Sequence, residues 1–371
     1  MRALLCFAAL AAAIAFSARA GDAAADTWII SGQSNACGWA EGKGLPSDPR
    51  VQMWDAAAKK WIPAAEPLSL LNGKSGAWLA AGLEAAKAGV TVRLMGHASP
   101  GQPITYWDES QPGLPALLGN IQACGQGAST FIWYQGESDA IGGTDPKRYQ
   151  ERLRDLVAKV RTAAKNPDML LIVVQLASWR DNPAGIMLIR EAQRQFVASD
   201  PKAILVAGLG RPVQADGAHL TAEGYQELGR EVGRAILKLR KRPNADWPGP
   251  VLDFAALSPD GKTVFAHFAE VKKLAGVLAD DFGVVDADGK PVKCEKATAE
   301  NTRIALSLEK PVRLPARLVY GWQNAPKATL ADENGNRAPA VQLGIQAKDI
   351  PPDKETPAPN GAASSAEPRP K

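Results

Sequence analysis

Histidine and cysteine are scarce in this chain of 371 residues, which holds three histidines and four cysteines. None of them pairs at the spacing of zinc ligands. The sequence also contains no phosphate-binding glycine loop and no dinucleotide fingerprint. We therefore expect neither a metal site nor a cofactor.

A strong charge imbalance is absent as well, because the formal net charge is only +4 at pH 7. Such a balance argues against nucleic acid or an anionic membrane as the partner. No apolar segment reaches the length of about twenty residues that a transmembrane helix needs. The sequence therefore predicts no membrane span.

The start of the chain has the layout of a cleavable secretory signal. Arg2 precedes the apolar stretch Leu4–Phe16, and the small-residue site Ala18-Arg19-Ala20 follows it. We expect a signal peptide at residues 1–20 and a secreted or periplasmic protein.

Removal of that signal leaves three cysteines, Cys37, Cys124 and Cys294, in a compartment that permits disulfides. A bridge between Cys37 and Cys124 would stiffen the segment after the first predicted strand. Buried free thiols are the alternative.

Residues 21–240 alternate buried strands with amphipathic helices. Apolar runs bounded by turn residues predict strands at Trp28–Ser31, Val90–Met95, Phe131–Tyr134, Leu170–Leu176 and Ala203–Ala207. Capping residues and apolar periodicity predict helices at Ser75–Ala88, Asp145–Ala164, Ile186–Ala198 and Thr221–Arg240. This alternation predicts an α/β domain with a parallel sheet and helices on both faces.

The composition changes after this domain. Residues 241–250 are rich in proline, which predicts a linker. Short alternating runs separated by turn signals then predict a small β domain at residues 251–346. Residues 347–371 hold proline, alanine, serine and charge with little to bury, which predicts a disordered tail.

Ser34 follows the first predicted strand on a turn of small residues. Such a turn exposes the hydroxyl and directs the free amides at a helix start toward an oxyanion. Taken alone, Ser34 fits an ordinary helix N-cap better, because capping serines are far commoner than nucleophiles.

The presence of Asp216 and His219 favours a nucleophilic role for Ser34 over a helix N-cap. Histidine is the usual general base near neutral pH, and a carboxylate three residues away on a turn can orient its ring. Ser34, the Gln135–Asp139 cluster and Asp216–His219 all follow predicted strands. Because ligands bind beyond the carboxyl ends of parallel strands, we expect these groups to meet at one edge of the sheet.

Four blocks in this order resemble a known family. The blocks are Gly32-Gln33-Ser34-Asn35, Pro100–Ile104 leading to Trp107, Trp133–Asp139, and Asp216–His219. The resemblance is to SGNH-type carbohydrate esterases, specifically sialate O-acetylesterase-like proteins and the related acetylxylan esterases. It implies an SGNH-hydrolase (flavodoxin-like) fold, and the segment Tyr320-Gly321-Trp322 resembles the closing β segment of sialate O-acetylesterases.

The same resemblance implies roles for individual residues. Ser34 would attack the acetyl carbonyl, His219 would accept its proton, and Asp216 would orient His219. The oxyanion would be held by the backbone N–H of Ser34, the backbone N–H of Gly101 and the side-chain amide of Gln135. The usual Gly-Gly-Thr of the second block is Pro100-Gly101-Gln102 here.

A second acid competes with Asp216 for the role of orienting the histidine. Glu137 lies in the third block, and the corresponding glutamate is a proposed acid partner in some related acetylxylan esterases. The sequence leaves both acids open and favours Asp216, with Glu137 as a structural or substrate-contacting carboxylate.

Several residues near predicted strand ends are candidates for substrate binding. Trp39, Trp107 and Trp179 could stack on a sugar ring, although core packing is the commoner fate of tryptophan. Arg180 could pair with the carboxylate of a sialic acid.

The sequence therefore predicts a secreted serine esterase that removes O-acetyl groups from a carbohydrate, with sialic acid favoured as the substrate. Acetylated xylan or another acetylated glycan is the alternative substrate. A non-catalytic glycan-binding protein on the same scaffold is the alternative of another class, since a fold does not guarantee activity.

Overall fold

The computed structural model describes residues 25–42, 44–178, 183–240, 249–269, 271–323 and 326–347. The predicted signal peptide (residues 1–20), residues 241–248 of the predicted linker (residues 241–250) and residues 348–371 of the predicted tail (residues 347–371) lie outside these ranges. Within them, no helix combines the length and the apolar character needed to cross a bilayer.

The N-terminal domain is built on one sheet flanked by helices. Its strands are β1 (Asp26–Gly32), β2 (Val51–Asp55), β3 (Lys60–Pro63), β4 (Val92–Ala98), β5 (Thr130–Tyr134), β6 (Leu170–Gln175) and β7 (Ala203–Ala207). Its helices are α1 (Ser34–Cys37), α2 (Trp78–Lys87), α3 (Gly113–Asn120), α4 (Glu137–Gly142), α5 (Pro146–Ala163), α6 (Pro183–Ser199) and α7 (Ala222–Leu239). The strand order in the sheet is β3-β2-β4-β1-β5-β6-β7.

The sheet is mixed, which corrects the prediction of a wholly parallel one. All neighbouring strands from β2 to β7 pair in parallel, but β3 pairs with β2 in antiparallel orientation. The hairpin of β2 and β3 lies at the sheet edge, and most of its residues are only half-buried or exposed. It therefore lacks the continuous apolar run that predicted the inner strands.

The inner strands are buried on both faces. Every residue of β1 and of β5 is buried, so helices must cover the sheet on either side. The helix α2 packs against α7, and α5 packs against α6. Local signals fix the helix starts, since the side chain of Asp145 accepts from the N–H of Arg148 and that of Thr221 accepts from the N–H of Gly224.

The strand order creates a crevice beside β1. The chain passes from β1 to one side of the sheet for β4 and then crosses to the other side for β5. Ligands of open α/β sheets bind at such a switch point, outside the carboxyl ends of the strands. Ser34 follows β1, and Gln135–Asp139 follows β5, so both segments border this crevice.

The predicted small β domain is present as a closed barrel. It contains β8 (Val251–Leu257), β9 (Thr263–Ala269), β11 (Phe282–Val285), β12 (Pro291–Glu300), β13 (Arg303–Leu308), β14 (Arg317–Tyr320) and β16 (Val341–Gln346). The short strands β10 (Leu274–Ala275) and β15 (Ala331–Asp332) pair beside it. Closure leaves the barrel without free strand edges.

The barrel and the N-terminal domain are in direct contact. Gln175, at the end of β6, donates to the carbonyl of Ala340 at 2.9 Å and accepts from the N–H of Ala340 at 2.7 Å. Leu209, in the loop after β7, belongs to the apolar core of the barrel. The two domains therefore share buried structure and are not joined by the chain alone.

The turn after β1 requires glycine, and this requirement can be tested. Gly32 has φ +142°, and a Cβ at this position would lie 2.0 Å from the carbonyl oxygen of Tyr134. We expect Gly32→Ala to lower the free energy of unfolding by about 3 kcal/mol, measured by chemical denaturation. The control is Gly119→Ala in α3, where an added Cβ meets nothing within 4 Å. Equal losses in both variants would contradict the argument.

Candidate active site

Ser34 is the first residue of α1, directly after the turn at Gly32 and Gln33. The N–H of Gln33 donates to the carbonyl of Tyr134 in β5 at 3.1 Å, which ties this turn to the neighbouring strand. The backbone N–H of Ser34 lies in the first turn of a helix, where no acceptor within the helix is available. The hydroxyl and this amide therefore border the same crevice.

His219 contacts Ser34 across the crevice although 185 positions separate them in the chain. Its Nε2 lies 2.8 Å from Ser34 Oγ, and its Nδ1 lies 2.6 Å from Asp216 Oδ2. A hydroxyl, an imidazole and a carboxylate in this sequence of contacts can activate the hydroxyl as a nucleophile. The structure thus brings these three side chains together beyond the carboxyl ends of the strands.

Asp216 is held as a carboxylate by its surroundings. Partial burial raises its pKa, but hydrogen bonds from the N–H of Ala218 at 2.9 Å, from the His219 ring and from the N–H of His219 at 3.1 Å outweigh this effect. The pKa of Asp216 therefore lies below its ordinary value. An ionised Asp216 can fix the orientation of the His219 ring and stabilise a positive charge on it.

Trp39 lies beside the imidazole. Its ring stacks on that of His219 with centroids 5.7 Å apart and an angle of 28° between the planes. Lys74 lies over the Trp39 ring at 5.6 Å and forms an ion pair with Glu41. Trp39 is half-buried.

Glu137 forms no hydrogen bond with His219 in the described part of the chain, although the charges of the two groups interact. It is 1% exposed, and its Oε1 accepts from Asn35 Nδ2 at 2.7 Å. Burial raises the pKa of Glu137, and the hydrogen bond from Asn35 opposes that rise. Of the two acids that the sequence left open, Asp216 is the one in contact with the imidazole.

Asn35 connects Glu137 to the loop that carries His219. Its amide nitrogen also donates to the carbonyl of Ala218 at 3.1 Å, and its amide oxygen accepts from the Tyr225 hydroxyl at 2.6 Å. A residue next to the candidate nucleophile thus binds the backbone next to the candidate base. Asn35 belongs to the first block of the family resemblance, but its three partners are distant along the chain, so the sequence predicts no role for it.

Gln33 has a comparable role on the other side of Ser34. Its amide oxygen accepts from the N–H of Gly136 at 3.3 Å and from the N–H of Ser138 at 3.2 Å. These are amides at the start of α4, which otherwise have no acceptor within that helix. Gln33 therefore joins the turn after β1 to the turn after β5, and its place beside Ser34 was the only sequence signal.

The two further candidates for the oxyanion hole lie in different environments. Gly101 is exposed in the loop after β4, with φ +70°. Gln135 is fully buried, and its amide nitrogen donates to the carboxylate of Asp139 and, at 3.1 Å, to the carbonyl of Gln102. Donation by Gln135 to an oxyanion would require one of these hydrogen bonds to be released.

The prediction that Trp107 binds substrate is wrong. It is only 3% exposed and packs edge-to-face against Tyr106 and Trp133, with ring centroids 5.0 Å apart in both pairs. A buried ring presents no face to a sugar, so Trp107 belongs to the core. The other two candidates, Trp179 and Arg180, lie outside the described residues.

The suggested disulfide between Cys37 and Cys124 does not form. Both are free thiols, as is Cys294. In the described part of the chain, no group of three or more histidine, cysteine, aspartate and glutamate side chains is arranged to hold a metal ion.

The described fold is a helix-flanked α/β domain that places Ser34, His219 and Asp216 in contact beyond the carboxyl ends of its strands. A family model described as carbohydrate esterase, sialic acid-specific acetylesterase, matches residues 24–238, which is more than half of the chain. The chain belongs to this family of carbohydrate acetylesterases.

One Arabidopsis thaliana protein is similar to this chain in sequence and in fold. A probable carbohydrate esterase of Arabidopsis thaliana is 27% identical over 237 residues, an alignment that covers 57% of this chain and 89% of that protein. The crystal structure of the same Arabidopsis thaliana protein aligns with 24% identity and a TM-score of 0.52, covering 57% of this chain and 98% of its own.

A carbohydrate acetylesterase from Xanthomonas citri extends the similarity in fold. It has 18% identity and a TM-score of 0.66, covering 86% of this chain and 80% of its own. This share exceeds the part of the chain that the family model matches, so the similarity in fold continues into the C-terminal barrel.

The three free thiols differ in burial, and this difference can be tested. Burial raises the pKa of Cys37 and of Cys294 to about 12, and that of the half-buried Cys124 to about 11. We expect the native protein at pH 8 to react with a disulfide reagent first at Cys124, while esterase activity is retained. Peptide mass spectrometry identifies the modified residue, and Cys124→Ser should remove the fast phase. A thiol count that rises after reduction would show that a bridge does form.

Proposed function

We propose that the protein hydrolyses acetyl esters of a carbohydrate through an acetyl-enzyme intermediate on Ser34. The observation that carries this proposal is the continuous contact from Asp216 through His219 to the Ser34 hydroxyl, at 2.6 Å and 2.8 Å. The family to which the chain belongs supplies the class of substrate.

The first half of the reaction forms the intermediate. Ser34 Oγ attacks the acetyl carbon while His219 Nε2 takes the hydroxyl proton. The bond between the acetyl carbon and the sugar oxygen then breaks, and His219 returns the proton to that oxygen. Asp216 stabilises the imidazolium that exists between these two transfers.

The second half releases acetate. A water molecule attacks the acetyl carbon and gives a proton to His219. The bond to Ser34 Oγ breaks, and His219 returns the proton to that oxygen. Both halves pass through a tetrahedral oxyanion, for which we propose the N–H groups of Ser34 and Gly101 as donors, with the amide of Gln135 as a third.

For the substrate, we propose an O-acetylated sialic acid. The description of the matching family and the resemblance of the closing segment Tyr320-Gly321-Trp322 support this choice. Arg180 is our candidate for the contact with the sialic acid carboxylate, because a guanidinium binds a carboxylate with two parallel hydrogen bonds. Acetylated xylan or another neutral glycan is the competing substrate.

We also propose that the protein acts outside the cytoplasm. The support is the sequence of residues 1–20, with its basic start, its short apolar stretch and its small-residue cleavage site. A secreted or periplasmic esterase would meet exported or external glycans.

Single substitutions test the roles within the site. We expect Ser34→Ala to abolish hydrolysis of 4-nitrophenyl acetate, and Asp216→Asn to lower kcat about 10³-fold or more because the imidazole loses its orienting charge. Glu137→Gln is the matched control, since its amide oxygen can still accept from Asn35. Loss of turnover in Glu137→Gln with normal turnover in Asp216→Asn would show that Glu137, and not Asp216, orients the imidazole.

Substrate preference needs a direct comparison on one preparation. We expect kcat/KM for an O-acetylated sialoside to exceed that for acetylated xylan by at least about tenfold, because one additional charged contact is worth that much discrimination. Acetate release is the measurement. The opposite preference would assign the enzyme to neutral glycans. Absence of both turnover and fluorophosphonate labelling of Ser34 would instead indicate a glycan-binding protein.

A further inference from the structure

Arg190, in α6, is fully buried between the two domains. Its guanidinium donates to the carbonyls of Leu176, at 2.9 Å, and Ala177, in the segment after β6. It also donates to the carbonyls of Gly321, at 3.1 Å, and Gln323, at 2.6 Å, in the segment after β14 of the barrel. One side chain therefore holds a loop of the N-terminal domain against a loop of the barrel.

The loop that carries Asp216 and His219 follows β7, and its first residues pack against the barrel. Leu209 is buried in the apolar core of the barrel. Gly210 has φ +75°, and a Cβ there would lie 2.2 Å from the carbonyl oxygen of Ala328. The barrel surface thus fixes the backbone a few residues before Asp216.

An ion pair strengthens this anchor. Arg211 binds Glu231 of α7, and both side chains are about 1% exposed. The carboxylate of Glu231 also accepts a hydrogen bond of 3.2 Å from the N–H of Arg337. Arg337 follows the short strand β15. Breaking one member of such a pair leaves a buried charge without its partner, so this contact holds its geometry firmly.

A third contact joins the two loops directly. The hydroxyl of Ser178 donates to the carbonyl of Gly217 at 3.1 Å. Ser178 follows Ala177, which Arg190 holds, and Gly217 lies between Asp216 and His219. Two sets of hydrogen bonds, joined by the peptide bond between Ala177 and Ser178, therefore lead from the barrel through Arg190 to the loop that carries the candidate base.

We propose that the C-terminal barrel positions the Asp216–His219 loop against Ser34, and that Arg190 is the positioning residue that transmits this contact. The proposal rests on the function proposed above. It makes the barrel part of the catalytic unit, in contrast to a separable carbohydrate-binding module.

The size of the expected effect follows from the geometry that catalysis needs. A displacement of about 1 Å in a catalytic group can reduce turnover about 10²-fold. Arginine suits this role because its planar fork can donate to both loops at once, whereas a lysine ammonium donates from a single point. Lysine at this position keeps the charge but cannot span both pairs of carbonyls.

The main experiment compares Arg190→Lys with Arg161→Lys. Arg161 also joins segments of the N-terminal domain, through the carbonyl of Met169 and the carboxylate of Asp200, but these precede β6 and β7 at the opposite edge of the sheet. We expect Arg190→Lys to lower kcat about tenfold to hundredfold with KM changed less than about twofold. Arg161→Lys should leave kcat unchanged at temperatures where it is folded.

A double-mutant cycle tests the proposed route. Ser178→Ala removes the hydrogen bond to Gly217 and should also lower kcat. If Arg190 acts through this contact, the double variant should lose little more than Arg190→Lys alone. Losses that multiply would show that Arg190 affects the site by another route and would overturn the assignment.

Hydrogen exchange provides a readout that does not depend on turnover. We expect Arg190→Lys to accelerate amide exchange in peptides covering residues 208–221, while Arg161→Lys does not. Faster loop exchange with an inactive parent protein would refute the proposed function and retain the positioning role. An active parent with unchanged loop exchange and unchanged kcat in Arg190→Lys would refute the positioning role alone.

A barrel variant keeps the proposal testable if Arg190→Lys does not fold. A Cβ at Gly321 would lie 2.9 Å from Leu209 Cδ1, whereas one at Gly335 meets nothing within 4 Å. Both glycines have positive φ, +62° and +77°, so both alanine variants carry similar backbone strain. We expect Gly321→Ala to lower kcat and Gly335→Ala to leave it unchanged. Equal kcat values in the two variants would overturn the proposal.

Discussion

The close approach of two strand ends is the constraint on which the rest of this molecule depends. Gly32 brings the end of β1 so near the carbonyl of Tyr134 that no side chain fits between them. The amide of Gln33 donates to the same carbonyl, and its side chain accepts from the first amides of α4. Ser34 is therefore held by two parallel strands inside the sheet, which gives a reactive group the rigid support that catalysis requires.

Two carboxylates near Ser34 illustrate how environment separates similar groups. Asp216 lies near the surface, where several N–H donors keep its pKa below the ordinary value. Glu137 is enclosed, and burial raises its pKa despite the hydrogen bond from Asn35. The first environment suits a permanent charge beside an imidazole, and the second suits an acceptor in a buried network. Residue type alone could not distinguish them.

Local signals explain how much of this structure could be predicted from the sequence. Buried apolar runs and helix caps depend on neighbours in the chain, and the meeting of Ser34 with His219 followed from the shared edge of parallel strands. The features that were missed depend on distant partners. The edge hairpin Val51–Pro63 lacks an apolar run, Trp107 packs against rings from separate segments, and Arg190 is buried only because two domains meet.

The stacking of Trp39 on His219 restricts how the imidazole can move during a reaction. Movement of the imidazole along the indole retains most of the contact, whereas tilting away would separate the two faces. A proton shuttle needs only a small swing between the attacking and the departing oxygen. The indole of Trp39 therefore favours movement of the imidazole along its surface over movement away from it.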